Sequence, residues 1–218
     1  MRWAWLFVAL GCSGTAGDGP VPRVIPALSR FVDPLIGTKG HGNSVPGPCV
    51  PHGMVKLSPD TDAEQGSIDA YDWDHDRIEG FSHTHLQGPG GTNNGYSQVL
   101  VMPLVGEVRT DRDRYASRYD HATEVAAPGY YAVTLEDAGI RAELTATRRC
   151  GVHRYTFPAA DAARVILDAA HTRGEPRDGR VEVVAPDTIR GKAVHQVNPL
   201  VALGVGDSAP GTTGISTP

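Results

Sequence analysis

Beyond residue 97 the chain alternates apolar and polar positions. Tyr131, Val133 and Leu135 alternate with Ala132, Thr134 and Glu136, and Ile140, Ala142, Leu144 and Ala146 alternate with Arg141, Glu143, Thr145 and Thr147. A period of two puts one set of side chains on each face of a strand, so both segments predict strands with one buried face. Glu136-Asp137-Ala138-Gly139 between them is a short hairpin connection, with Gly139 free to take a positive φ. The run Val99-Leu100-Val101-Met102 and segments 152–157, 164–169 and 180–184 supply further strands. No long segment has the 3.6-residue period of an amphipathic helix. Short strands at close spacing, with turn residues between them, predict an all-β fold, a β-sandwich.

Residues 31–96 lack this regularity. Pro34, Pro46, Pro48, Pro51 and Pro59 break any helix, and glycines lie between them. Short strands are expected at 54–57 and 80–85. The rest predicts long irregular N-terminal loops pinned to a sheet, and loops of that length inside a compact domain usually carry function.

Composition adds modest constraints. The 218 residues suffice for one sizeable domain, with 40% hydrophobic and 21% charged residues, as in ordinary globular proteins. The 26 glycines and 17 prolines favour turns over helices. A net charge of −5 excludes the basic stripe that nucleic-acid binding needs.

Residues 1–12 read as a signal peptide. Met1-Arg2 is a minimal positive start, and the apolar run 3–10 is far too short to span a bilayer as a helix. Gly11-Cys12-Ser13-Gly14 resembles a bacterial lipoprotein processing site, with Cys12 as the lipidated first residue. Export is therefore expected, to the periplasm, to the outer membrane as a lipoprotein, or outside the cell. Membrane contact would run through the lipid anchor only. Residues 13–30 read as a flexible linker, 31–203 as the folded domain, and 204–218 as an irregular tail of the kind a truncation leaves. In an exported protein Cys49 and Cys150 can form a disulfide; two buried free thiols are the alternative.

The chemistry-bearing residues cluster before Tyr96. If the run from Ser82 to Leu86 is extended, His83 and His85 share a face, about 7 Å apart along the strand. Such a pair can bind hydroxyls, bind a metal or shuttle protons, although no third and fourth metal ligand follows at a recognisable spacing. A buried histidine on a backbone carbonyl is the competing reading for each. The loop Gly88 to Gly95 can form a backbone concavity, and Asn93 and Asn94 donate and accept together, which suits sugar hydroxyls. It lacks the Lys and Ser/Thr of a phosphate loop. Tyr71-Asp72-Trp73-Asp74-His75-Asp76 combines aromatic faces for a pyranose with carboxylates for its hydroxyls; an acidic surface turn over a packed Trp73 fits equally. No pair of carboxylates stands out as the acid and base of glycoside hydrolysis. The residues alone thus predict a binding surface and no catalytic residue.

Phe31-Val32-Asp33-Pro34-Leu35-Ile36-Gly37-Thr38 is followed by Gly40-His41-Gly42-Asn43 and by Val50-Pro51-His52-Gly53-Met54-Val55-Lys56-Leu57-Ser58-Pro59-Asp60-Thr61. Gly80-Phe81-Ser82-His83-Thr84-His85-Leu86 and Leu100-Val101-Met102-Pro103 come next. In this order the segments resemble the N-terminal domain of glycoside hydrolase family 92, the exo-acting α-mannosidases. The resemblance implies a supersandwich similar to the galactose mutarotases, paired with a larger helical domain across an active-site cleft. It implies mannose removal with inversion, helped by calcium, with acid, base and calcium site mainly in the helical domain. No cofactor is then expected in this chain. Its expected partners are mannose-containing glycans and the helical domain. By position, Trp73, His83, His85 and the loop Gly88 to Asn94 are the expected substrate contacts. Two departures stand out: Gln87 replaces a usual serine, and Tyr96-Ser97-Gln98 occupies the place of a usual aspartate. A stand-alone glycan-binding surface lipoprotein, or one half of a split or frameshifted mannosidase, are the alternatives.

Overall fold

The computed structural model describes residues 4–6, 26–61, 69–88, 96–108, 110–173 and 175–196. Its period-two segments are strands. β7 (Tyr130–Leu135) and β8 (Ile140–Ala146) pair from Tyr131↔Leu144 to Leu135↔Ile140. Gly139 closes their turn at φ 62°, its N–H donating to the Glu136 carbonyl at 3.3 Å. β8 continues into β9 (Gly151–Thr156), while β6 (Val125–Ala127) flanks β7. The three residues of β1 (Ala4–Leu6), inside the expected signal peptide, pair with β9. The first sheet thus runs β1-β9-β8-β7-β6.

The second sheet runs β10-β4-β3-β2, with β5 (Ser117–Arg118) paired to β3. Its members are β2 (Ser58–Thr61), β3 (Arg77–Ser82), β4 (Leu100–Val105) and β10 (Ala163–Asp168). β11 (Glu175–Ala185) and β12 (Thr188–Gln196) form a separate two-stranded ribbon. One core fills the space between the two main sheets. Tyr131, Val133, Ile140, Leu144 and Tyr155 of the first sheet meet Ile78, Phe81, Leu100 and Met102 of the second. The Phe81 and Tyr155 rings lie 6.2 Å apart across that gap. This is the all-β sandwich that the alternation predicts.

The N-terminal loops differ in detail from expectation. No strand forms at 54–57; the backbone N–H groups of Lys56 and Leu57 bond to different segments, at His83 and Pro48. The strand begins four residues later than expected, at Ser58, as Ser-Pro-Asp-Thr, and all four residues are buried. Pro59 is tolerated there because β2 lies at the sheet edge. β3 stops at Ser82 instead of continuing to His85. In the segment opposite, Ser97 and Val99 hold left-handed φ values of 69° and 60°, which breaks a regular ladder. Cys49 is a free, exposed thiol, so neither the disulfide to Cys150 nor a buried thiol at 49 is realised. Cys12 and the 204–218 tail lie outside the described residues.

Gly151 opens β9 directly beside His83. A Cβ there would fall 2.7 Å from His83 Cδ2 and 3.0 Å from its Nε2. Gly151→Ala should therefore cost about 1–3 kcal/mol by overpacking. A urea-unfolding midpoint unchanged from the parent chain would refute the tight contact.

Candidate functional site

The Ser-His-Thr-His segment leaves the end of β3 and turns its side chains inward. His83 is 1% exposed and His85 2%. His83 Nδ1 donates to the Val99 carbonyl at 2.7 Å, and its Nε2 lies 3.1 Å from His153 Nε2 on β9. His153 Nδ1 lies 2.7 Å from the Tyr155 hydroxyl. One proton arrangement satisfies the whole chain. The carbonyl fixes the His83 proton on Nδ1, so Nε2 accepts from His153 Nε2–H, and His153 Nδ1 accepts from Tyr155. Burial lowers the pKa of both histidines, outweighing for His83 the opposing Val99 hydrogen bond, so both are neutral. Burial also holds the Tyr155 hydroxyl protonated.

His85 turns to a buried carboxylate. Its Nε2 and the Ser82 hydroxyl donate to Asp60 Oδ1 at 2.7 and 2.8 Å, while His171 Nε2 donates to Oδ2 at 2.7 Å. Burial works to raise the Asp60 pKa, but the bonds from His171 and His85 outweigh it and hold the carboxyl well below its usual range. Serine, histidine and aspartate meet here without forming a catalytic triad. In a triad the aspartate holds Nδ1; here His85 Nδ1 donates to the Lys56 carbonyl, and Asp60 shares Nε2 with the serine. All three side chains are buried.

Thr84 ties the same segment to the far side of the loop. Its carbonyl accepts from Ser97 N–H at 2.6 Å, its hydroxyl accepts from Gln98 N–H at 2.9 Å, and it donates to the Gln98 side chain. Gly88, at φ 98°, donates its N–H to the Asn43 carbonyl at 2.8 Å. Both stems of the Gly-rich loop are thus pinned. Asn93 and Asn94 lie outside the described residues. Beside the stem, Gln87, Asp33, Ile36, Ser44 and Cys49 border a cavity of about 250 Å³. Among the described residues no group of three or more His, Cys, Asp and Glu side chains is arranged to hold a metal ion.

Trp73 occupies a second loop. Its N–H donates to the Thr38 carbonyl at 2.9 Å, and its half-buried indole stacks on His121 with centroids 3.6 Å apart. Asp72 turns the loop by accepting from Asp74 N–H and Gly40 N–H. Asp74 pairs with Lys39 at 2.7 Å, an exposed bridge of little energetic weight.

The sequence pattern of the glycosyl hydrolase family 92 N-terminal domain matches residues 31–199. The chain belongs to this family. It is similar to a family GH92 α-mannosidase from Bacteroides thetaiotaomicron solved with mannoimidazole: TM-score 0.70 and 36% identity, covering 76% of this chain and 23% of that one. An inverting family GH92 mannosidase from the same organism gives TM-score 0.65 and 30% identity, over 78% of this chain and 23% of that one. An uncharacterized secreted glycosidase of Arthroderma benhamiae is 27% identical over 186 residues, 80% of this chain and 24% of that protein. The family 92 chain described here thus spans about a quarter of the length of these relatives.

Within this family 92 domain, the expected site residues separate. Trp73 is half-buried in its loop and Gly88 stands at a loop stem, whereas His83 and His85 anchor the sandwich with every ring nitrogen engaged. Sequence reasoning missed Asp60, Ser82, His121, Glu124, His153 and His171. Alternation could have found His153: in β9, Gly151, His153 and Tyr155 are buried while Val152, Arg154 and Thr156 are not. No local pattern marks the others.

Asp60→Asn leaves His85 and His171 without their charged acceptor and should cost about 3–5 kcal/mol in urea unfolding. Acid should also destabilise the fold. His83 and His153 are depressed from 6.5, so the unfolded chain takes up protons first and stability falls as pH drops below that value. Asp60 is depressed from 3.8, so its contribution is complete above that pH and lost as pH falls through the lower native value. Unfolding midpoints flat between pH 7.5 and 5 would contradict the neutral histidine pair.

Proposed function

We propose that this domain forms the sugar-facing wall of an interdomain active site in an α-mannosidase-like glycoside hydrolase. Family membership and the mannosidase relatives support that reading, and Trp73 carries it. The indole is fixed by its backbone and by the stack on His121, yet remains half-buried. A rigid aromatic face beside the carboxylates of Asp72 and Asp74 suits a pyranose, apolar on one side and hydroxylated at its rim. Gly88, Asn93 and Asn94 are proposed as further sugar contacts on the strength of the family resemblance. His83 and His85 contribute indirectly, by holding the Gly88 stem to the sandwich.

The domain binds and does not cleave by itself. Hydrolysis needs two carboxyl groups flanking the glycosidic bond. Asp60 and Glu124 have buried side chains and accept from side chains of several separate segments of this domain. The acid, base and calcium would come from a separate helical domain; the relatives' chains extend well beyond the stretch that this chain matches. Export through residues 1–12 fits the secreted relative.

The purified chain should bind methyl α-mannoside weakly by NMR titration. Trp73→Ala should weaken it by about tenfold, the loss of one aromatic stack. Aryl α-mannosides should not turn over, with or without calcium. Turnover by this chain, or Trp73→Ala binding as well as the parent, would overturn the assignment.

A further inference from the structure

Trp73 is held by His121, and His121 by Glu124. His121 lies in a short 3-10 turn, residues His121–Thr123, ahead of β6. Its Nε2 donates to the Trp73 carbonyl at 2.8 Å, and its ring covers one face of the indole at an interplanar angle of 13°. Tyr119 meets the same imidazole edge-on at 5.1 Å. The His121 Nδ1 lies 2.7 Å from Glu124 Oε2. With the Thr38 bond, the backbone N–H, the backbone carbonyl and one ring face of Trp73 are all held.

Glu124 closes the assembly. Its side chain is 0% exposed, and it accepts from the hydroxyls of Tyr71 at 2.9 Å and Tyr131 at 2.6 Å as well as from His121. Tyr131 belongs to β7 in the sandwich, and Tyr71 stands two residues before Trp73. A single carboxylate therefore joins the tryptophan loop, the His121 turn and the rigid sheet. Hydrogen bonds to a charged acceptor are the stronger class, and in a buried site they are shielded from water.

We infer that His121 and Glu124 are positioning residues for sugar recognition: together they hold the Trp73 indole at a fixed angle as the platform for a pyranose. This rests on the reading of Trp73 as the sugar contact. The two can be separated because the chain carries three tryptophans, Trp3, Trp5 and Trp73. In the full chain with Trp3→Phe and Trp5→Phe, Trp73 is the sole indole emitter.

Emission, anisotropy and acrylamide quenching then report the platform without any sugar. His121→Leu and Glu124→Gln should red-shift the emission, lower its anisotropy and increase quenching. His121→Phe, which keeps an aromatic stack but neither hydrogen bond, should restore only part of the anisotropy. Binding of methyl α-mannoside should weaken in the same order, with circular dichroism and the unfolding midpoint checking that each variant is folded. Unchanged Trp73 fluorescence in folded His121→Leu and Glu124→Gln would overturn the inference. Altered fluorescence with unchanged mannoside binding would overturn it as well, provided Trp73→Ala loses binding. If Trp73→Ala retains binding, the reading of Trp73 itself fails, while the fluorescence still decides whether the clamp exists.

Discussion

The Asp60 carboxylate is the constraint around which the loop side of this domain is organised. A buried charge is costly unless its lone pairs are filled, and three donors from separate segments fill them. Ser82 comes from the end of β3, His85 from the loop stem beyond it, and His171 from the turn after β10. None of these segments can shift without exposing the carboxylate to an unfavourable environment. Asp60 itself sits in a strand with no apolar alternation, so the charge network does there what hydrophobic burial does elsewhere. Glu124 repeats the device in the tryptophan loop region, with two tyrosines and a histidine as donors.

The sandwich and its loops divide the work accordingly. The sheets close over a largely apolar core, and the His83–His153–Tyr155 chain spans the gap as a satisfied string of neutral donors and acceptors. Gly151 makes room for that string. The loops bury Val45, Val55, Leu57 and Tyr71 and are fixed further by the Asp60 and Glu124 carboxylates. Val99 carries the cost of this junction, a β-branched residue in the left-handed region whose carbonyl orients His83. The result is a set of loops held firmly at Trp73 and at the Gly88 stem.

Much of the sandwich was legible beforehand. The β7–β8 hairpin and the β9 strand follow from alternation, because each residue's face is set by its parity along the strand. The family was legible too, from segments whose order and composition are specific. β2 was not, since Ser-Pro-Asp-Thr has neither the residues nor the period of a strand and is held by pairing with β3. The direction of His83 and His85 was also illegible. Their expected common face assumes an extended backbone, and the left-handed residues opposite end the strand before them.

By itself, then, the sequence determined the all-β class, the main strands, the loop-rich N-terminal half and the family. These depend on local period and on motif order, which a linear reading contains. Only the tertiary structure decided which polar side chains face inward and which remain at the surface. Asp60 meets His171 across 111 residues, and His83 meets His153 across 70. A histidine's role depends on which acceptor the fold delivers to each ring nitrogen, and no spacing within Ser-His-Thr-His specifies partners so far along the chain.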